Sequence, residues 1–130
     1  MGGIAGVTQD QTPEAVVRAF VDAWRGPDLD RVCALLGEDI AYHNIPMEPL
    51  TGKPSVEGYL RAAGPFEESD WELLHIAAVG EHVLTERVDR MLVGGKRIAL
   101  PLMGIFRVSG GLIREWRDYF DLAMYRAQMG

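Results

Sequence analysis

The chain has a single cysteine, no cluster of basic residues and no long hydrophobic stretch. Cys33 is the one cysteine among 130 residues, so no disulfide can form within the chain. Because Cys33 lies among aliphatic residues, we expect its thiol to pack as a small hydrophobic side chain rather than to act as a nucleophile. The longest apolar runs, such as 98–103, fall far short of the roughly 20 residues that span a bilayer.

Acidic residues outnumber basic ones, 19 to 13, and the formal net charge is -6. Binding to a nucleic-acid backbone needs clustered Lys and Arg, so this balance argues against a nucleic-acid partner. Residues 1–11 are rich in glycine and lack the basic and apolar regions of a signal peptide. They predict a flexible leader on a cytoplasmic protein.

The first half of the chain carries helix signals. Thr12, Pro13 and Glu14 predict a helix start, and Gly26-Pro27 predicts its end. Asp28 begins a second, shorter helix that ends at Gly37, and a third is predicted over 55–63. Between the last two, 39–44 predicts a strand, and the three prolines within 45–54 predict a loop.

From Trp71 onwards the hydrophobic period changes to two. The pattern predicts four long strands, over 71–79, 82–93, 97–108 and 112–122. Glycine pairs between them supply the positive φ angles of tight hairpins. We therefore predict one α+β domain over 1–130, in which a strongly curved, mostly antiparallel sheet wraps around three N-terminal helices. A pocket between the helices and the concave face of the sheet would hold a small molecule.

A carboxylate on the last strand predicts a buried polar site. Asp118 shares a strand face with Trp116 and Phe120, and a carboxylate in apolar surroundings needs a partner. The strand over 82–93 offers Arg87 on one face, beside Asp89, and another arginine with another acid on the opposite face. Alternation alone leaves open which pair is buried.

Three motifs resemble the limonene-1,2-epoxide hydrolases. They are Tyr42-His43-Asn44, Glu86-Arg87-Val88-Asp89 and Trp116-Arg117-Asp118-Tyr119-Phe120-Asp121, in that order along the chain. The similarity extends over most of the chain. The cone-shaped NTF2-like or SnoaL-like fold of that family agrees with the curved sheet and helices predicted above.

The resemblance implies a role for each motif residue. Asp118 would be the general base, and Tyr42 and Asn44 would help it to hold a water molecule. Asp89 would be the general acid, with Arg87 between the two carboxyl groups. The implied reaction adds water to a small lipophilic epoxide in one step, giving a vicinal diol without a covalent intermediate. It needs no cofactor, and the family likeness also implies a homodimer formed through the outer face of the sheet.

The walls of the predicted pocket are apolar. Alternation and the resemblance together place five side chains there: Met91, Leu100, Leu102, Phe120 and, from the first helix, Trp24. The alternative for each of these side chains is an ordinary position in the core. Gly104 is interpreted as a bulge or bend in its strand rather than as part of a site.

Other interpretations stay open on the residues alone. Arg87, Asp89 and Asp118 could form a buried salt-bridge network that only holds strand register. A ketosteroid-isomerase-like or polyketide-cyclase-like enzyme could use Asp118 as a base and Tyr42 as an acid. A non-catalytic ligand-binding module is the third possibility. No metal site is predicted, because the three histidines lie on separate elements.

Overall fold

The structure is a computed structural model that describes residues 11–130, so residues 1–10 of the predicted leader lie outside the described part. Its elements follow in chain order: α1 (Pro13–Ala23), α2 (Leu29–Ala34), β1 (Leu36–Asn44), β2 (Leu50–Thr51), α3 (Lys53–Ala63), β3 (Phe66–Val79), β4 (His82–Val93), β5 (Lys96–Ser109), β6 (Leu112–Tyr119) and α4 (Leu122–Met129). The predicted α+β class is confirmed. Within the described range, no helix is both long and apolar enough to cross a membrane.

Helix α1 lies at the centre of the sheet's inner face. Its start agrees with the prediction, since the Thr12 side chain accepts a hydrogen bond of 3.3 Å from the backbone N–H of Ala15 and Pro13 follows. Phe20 on its apolar face is fully buried. The helix contacts β3, β4, β5 and β6, so the sheet wraps around it.

The sheet has the strand order β2-β1-β6-β5-β4-β3. All neighbours are antiparallel except β1 and β6, which run parallel. This parallel pairing places Asn44 across from Asp118 and Tyr42 across from Trp116. Two motifs far apart in the sequence therefore meet at one end of the sheet.

Several element boundaries differ from the predictions. β3 begins at Phe66 rather than at Trp71, β1 begins at Leu36, and α3 begins at Lys53. The predicted loop over 45–54 contains the short strand β2, which pairs with β1. Pairing with neighbouring strands extends β1 and β3 beyond what the local hydrophobic pattern indicates, and α3 can begin earlier because proline is tolerated in the first turn of a helix.

The predicted alternation along β6 fails at its start. Ile113 should face outwards by strict alternation from Asp118, yet its side chain is fully buried in the core. The pairing of β5 with β6 shifts by one residue between Ile113 and Glu115, and such an irregularity reverses the face of every residue before it.

The C-terminal helix α4 was not predicted, and it is present in addition to the three N-terminal helices that were expected. The carboxylate of Asp121 caps α4 by accepting from the backbone N–H groups of Ala123 and Met124. The Gln128 side chain then hydrogen-bonds both the N–H and the C=O of Ala99 on β5, at 2.7 and 3.0 Å. In this way α4 covers the part of β5 that extends beyond β6.

Candidate active site

A buried guanidinium on β4 is the centre of the site. Arg87 has no exposed surface, and its Nε and Nη2 donate to the two carboxylate oxygens of Asp89, both at 3.0 Å. The same Nη2 donates to Oδ2 of Asp118 at 3.1 Å. Both carboxyl side chains are at least 94% buried. The other arginine of this strand, Arg90, instead pairs with Glu72 at the surface. Alternation left open which arginine of the strand is buried, and the structure shows that it is Arg87.

Thr85 holds the third nitrogen of the guanidinium and was missed by the sequence analysis. Arg87 Nη1 donates to Thr85 Oγ1 at 2.9 Å, and the Thr85 hydroxyl donates to the carbonyl of Gly104 at 3.1 Å. Because Thr85 shares a strand face with Arg87, the alternation of β4 was the signal that could have found it. Every nitrogen of the guanidinium is thus hydrogen-bonded, which fixes its plane.

Gly104 belongs to the site, and its interpretation as a bulge is wrong. The pairing of β5 is regular here, with Thr85 across from Gly104 on one side and Asp118 on the other. A Cβ atom at this position would lie 2.5 Å from Arg87 Nη1 and would also overlap Oδ1 of Asp118. Glycine is therefore required because the ion pair passes directly over the backbone of β5.

The two oxygens of Asp118 have different surroundings. Oδ2 accepts hydrogen bonds from Arg87 and, at 3.0 Å, from the indole N–H of Trp116. Oδ1 is buried and has no hydrogen-bond partner among residues 11–130. Oδ1 lies against the backbone of β5 at Gly104, where an added Cβ atom would overlap it.

Tyr42 and Asn44 reach the same cavity from β1. The Asn44 side-chain amide donates to the Tyr42 hydroxyl at 2.8 Å, and the Tyr42 ring stacks on Trp116 at 4.0 Å between centroids. Burial, together with the nearby charge of Asp118, raises the pKa of Tyr42 well above its ordinary value of 10. The phenol therefore stays neutral at physiological pH, and its own O–H remains available to donate.

Burial also affects the charge state of Asp89. It raises the pKa of Asp89 to about 6, against the lowering effect of Arg87. Burial opposes the charge of Arg87 as well, but Asp118 and Asp89 raise the pKa of this guanidinium above its ordinary value. One permanent cation thus lies between two acids.

A cavity of about 140 Å³ opens beside these groups. Asp89, Asp118, Tyr42 and Asn44 form its polar part. The structure places all five side chains that were predicted as walls along it: Met91, Leu100, Leu102, Phe120 and Trp24. Tyr125 also lines it and was missed because it lies on the unpredicted helix α4.

The remaining candidate groups lie elsewhere. Cys33 is buried and its thiol is free. His75 pairs with Glu86 on the exposed side of the sheet, at 2.7 Å. In the part of the chain that the structure describes, no group of three or more His, Cys, Asp or Glu side chains could hold a metal ion.

Comparison with known proteins identifies the family. The model of the limonene-1,2-epoxide hydrolase catalytic domain matches residues 11–129. The epoxide hydrolase EphG of Mycobacterium tuberculosis is 36% identical over 106 residues, which cover 82% of this chain and 71% of EphG. The structure of an M. tuberculosis LEH-like epoxide hydrolase superimposes with a TM-score of 0.80 at 33% identity, over 91% of this chain and 90% of that one.

The same fold occurs in other enzyme classes. A putative polyketide cyclase from Xanthomonas campestris pv. campestris has a TM-score of 0.81 at 22% identity, with 92% of this chain and 98% of that chain covered. At this identity the likeness concerns the fold alone. The predicted NTF2-like and SnoaL-like architecture is thereby confirmed. By the match to its catalytic-domain model and by its identity to EphG, the chain belongs to the limonene-1,2-epoxide hydrolase family.

Proposed function

We propose that this protein adds water in one step to a small lipophilic epoxide and releases a vicinal diol. The observation that carries the proposal is the pair of buried carboxyl groups, Asp118 and Asp89, that one guanidinium links at the wall of a mostly apolar cavity. Membership of an epoxide hydrolase family supports the reaction class.

Asp118 is the proposed general base. A water molecule donating to its carboxylate from the cavity would lie near Asn44, which is directly across the parallel β1–β6 pair. The Tyr42 hydroxyl, which accepts from Asn44, can donate its own hydrogen to the water oxygen. With one proton directed at a carboxylate and its oxygen held in place, the water is oriented to attack carbon.

Asp89 is the proposed general acid. Its raised pKa of about 6 keeps a useful fraction of the carboxyl group protonated near neutral pH. As the water oxygen bonds to an oxirane carbon, the carbon–oxygen bond of the ring breaks. Asp89 gives its proton to the departing oxygen while Asp118 takes one from the water. The products are a neutral diol, a protonated Asp118 and an ionised Asp89, so atoms and charge balance.

A proton must then return from Asp118 to Asp89. The guanidinium of Arg87 contacts both acids, but its raised pKa keeps it charged. We therefore assign the return to water entering the cavity after the diol leaves. Arg87 would position the acids and reduce their mutual repulsion.

The walls of the cavity favour a lipophilic substrate. Apart from the catalytic groups, the side chains around it are mostly aliphatic or aromatic. A charged substrate would lose hydration there without gaining a partner. The proposed reactants are an epoxide and water, with no metal or cofactor.

Incubation with limonene oxide and cyclohexene oxide tests the proposed function. We expect diols to form in buffer without added metal or nucleotide, measured by gas chromatography. In a single turnover in ¹⁸O-labelled water, the label should appear in the diol, because water attacks carbon directly. Label on Asp118 in place of the diol would contradict direct attack, and absence of diol from both epoxides would contradict the reaction class.

The pH dependence of kcat/KM should report the protonation of Asp89. Because the acid must be protonated to act, we expect kcat/KM to fall about tenfold for each pH unit above the raised pKa of about 6. The measurement is an initial-rate profile from pH 5 to pH 9 at constant ionic strength. A rate that stays level over the whole alkaline half would remove Asp89 from the acid role.

A proton-transferring isomerase or cyclase is the second candidate, since its fold is shared. Such an enzyme could use Asp118 and Tyr42, but it gives no role to the bidentate pair of Arg87 and Asp89. The epoxide hydrolase accounts for all four residues.

The homodimer stays a prediction, and the exposed Leu84, Met103 and Tyr119 are compatible with an interface on the outer face of the sheet.

A further inference from the structure

A second recess adjoins the catalytic cavity. It has a volume of about 300 Å³. Six residues line it: Tyr42, Asn44, Met47, Glu48, Leu50 and Tyr59. All of them except Glu48 and Leu50 also line the catalytic cavity. The two spaces therefore share one wall, which includes the groups proposed to hold the attacking water.

The recess is built from the 45–52 segment and from α3. Met47 and Tyr59 are among the large apolar side chains that stay exposed, at 39% and 36%. The Tyr59 ring lies 5.9 Å from that of Tyr42 and stands at the junction of the two spaces. Leu50 is half-buried on β2, where it pairs with Tyr42. A concave apolar surface beside a reactive site is typical of a ligand-binding position.

We propose that this recess binds the hydrocarbon substituent of the epoxide substrate while the oxirane ring occupies the catalytic cavity. The inference rests on the proposed function and deepens it. Its basis is the lining that the two spaces share, Tyr42, Asn44, Met47 and Tyr59, together with the absence of a catalytic carboxyl group from the lining of the recess. An epoxide with a flexible alkyl chain could fill both spaces at once.

Glu48 sets the charge preference of this subsite. It is the charged side chain among the six that line the recess, and it is exposed. A carboxylate at the far end of the substrate chain would approach it and be repelled. The subsite therefore favours a neutral alkyl chain over one that ends in a carboxylate.

A series of substrates and products that differ only in chain length tests the subsite. We expect kcat/KM for 1,2-epoxyalkanes to rise by up to roughly fourfold per added methylene until the recess is full. The affinity for 1,2-alkanediols of the same lengths, followed by tryptophan fluorescence, should rise in parallel. Diol binding requires no turnover, so it tests the recess even if the reaction assigned above is wrong.

Leu50→Trp is expected to fill the recess with a larger side chain. Leu50 is chosen because it is the apolar residue that lines the recess without also lining the catalytic cavity. We expect Leu50→Trp to remove the dependence on chain length in both measurements. Leu74→Trp, the same change at an exposed position of β3, is the control and should keep the dependence.

If Leu50→Trp fails to fold, Glu48→Gln serves instead at an exposed position. It should raise kcat/KM for a carboxylate-terminated epoxide several-fold, relative to the neutral epoxide of equal length.

The outcomes separate the two proposals. Failure to hydrolyse any epoxide, with diol affinity still rising along the series, would reject the reaction and keep the subsite. Hydrolysis and diol binding that are both independent of chain length would keep the reaction and overturn the subsite. A chain-length dependence that is unchanged in Leu50→Trp would overturn it as well.

Discussion

Asp118→Asn is expected to lower kcat/KM for epoxide opening by about 10³-fold, within the usual range for loss of a general base. Asparagine has nearly the same shape, so its single carbonyl oxygen can occupy the place of Asp118 Oδ2 and still accept from Arg87 and Trp116. What disappears is the ability to take a proton from water. Diol formation measured at saturating and at limiting epoxide should show the loss mainly in kcat, because the apolar walls that bind substrate are unchanged.

The matched control is Glu115→Gln on the same strand. Glu115 pairs with Arg107 and Arg117 outside the cavity and should tolerate the change with activity near that of the parent chain. Both variants should keep the near-ultraviolet circular dichroism of the parent. Activity of folded Asp118→Asn within tenfold of the parent would show that another group activates the water. The ion pair would then fit the structural network that the sequence left as an alternative.

Arg87→Met is expected to lower the free energy of unfolding by about 3–5 kcal/mol, the usual cost of removing one partner from a buried ion pair. Methionine fills part of the volume, but Asp89 and Asp118 lose the cation that both contact. The contact of the guanidinium with Trp71, 4.2 Å from the ring centroid, is lost as well. Urea denaturation at pH 7, followed by tryptophan fluorescence, measures the difference.

Arg90→Met on the same strand is the control, because Arg90 and Glu72 form an exposed pair worth at most about 1 kcal/mol. The loss in Arg87→Met should shrink as the pH falls, since protonation of Asp89, whose pKa burial already raises, removes an uncompensated negative charge. Adding Asp89→Asn and Asp118→Asn should likewise recover part of the stability. A loss no larger than that of Arg90→Met would mean that the carboxyl groups do not depend on Arg87 for their charge balance.

The sheet could be predicted where the signals are local. The hairpins over Gly94-Gly95 and Gly110-Gly111 have positive φ angles at both glycines, as the glycine pairs indicated. Strand β4 has the predicted bounds His82 and Val93. Turn chemistry and period-two alternation act over a few residues, so they are legible without the fold.

Helix α4 could not be predicted from the same signals. Its cap, Asp121, continues the alternation of β6, so the segment looks like more strand. The apolar residues of α4 do not form a clear stripe along one face, which is the usual signal of a helix. In agreement with this, none of the residues of α4 is fully buried in the described structure. The helix is held by tertiary contacts, among them those of Gln128 with the edge of β5.

From the sequence alone it followed that Arg87 and Asp89 share one face of a strand and that Asp118 lies among apolar neighbours, because strand alternation is a property of the local backbone. Only the tertiary structure decided which arginine is buried and that β6 runs parallel to β1 beside Asn44. It also decided that Gly104 lies beneath the ion pair. Pairing between distant strands depends on burying whole surfaces together, and no short stretch of sequence records that choice.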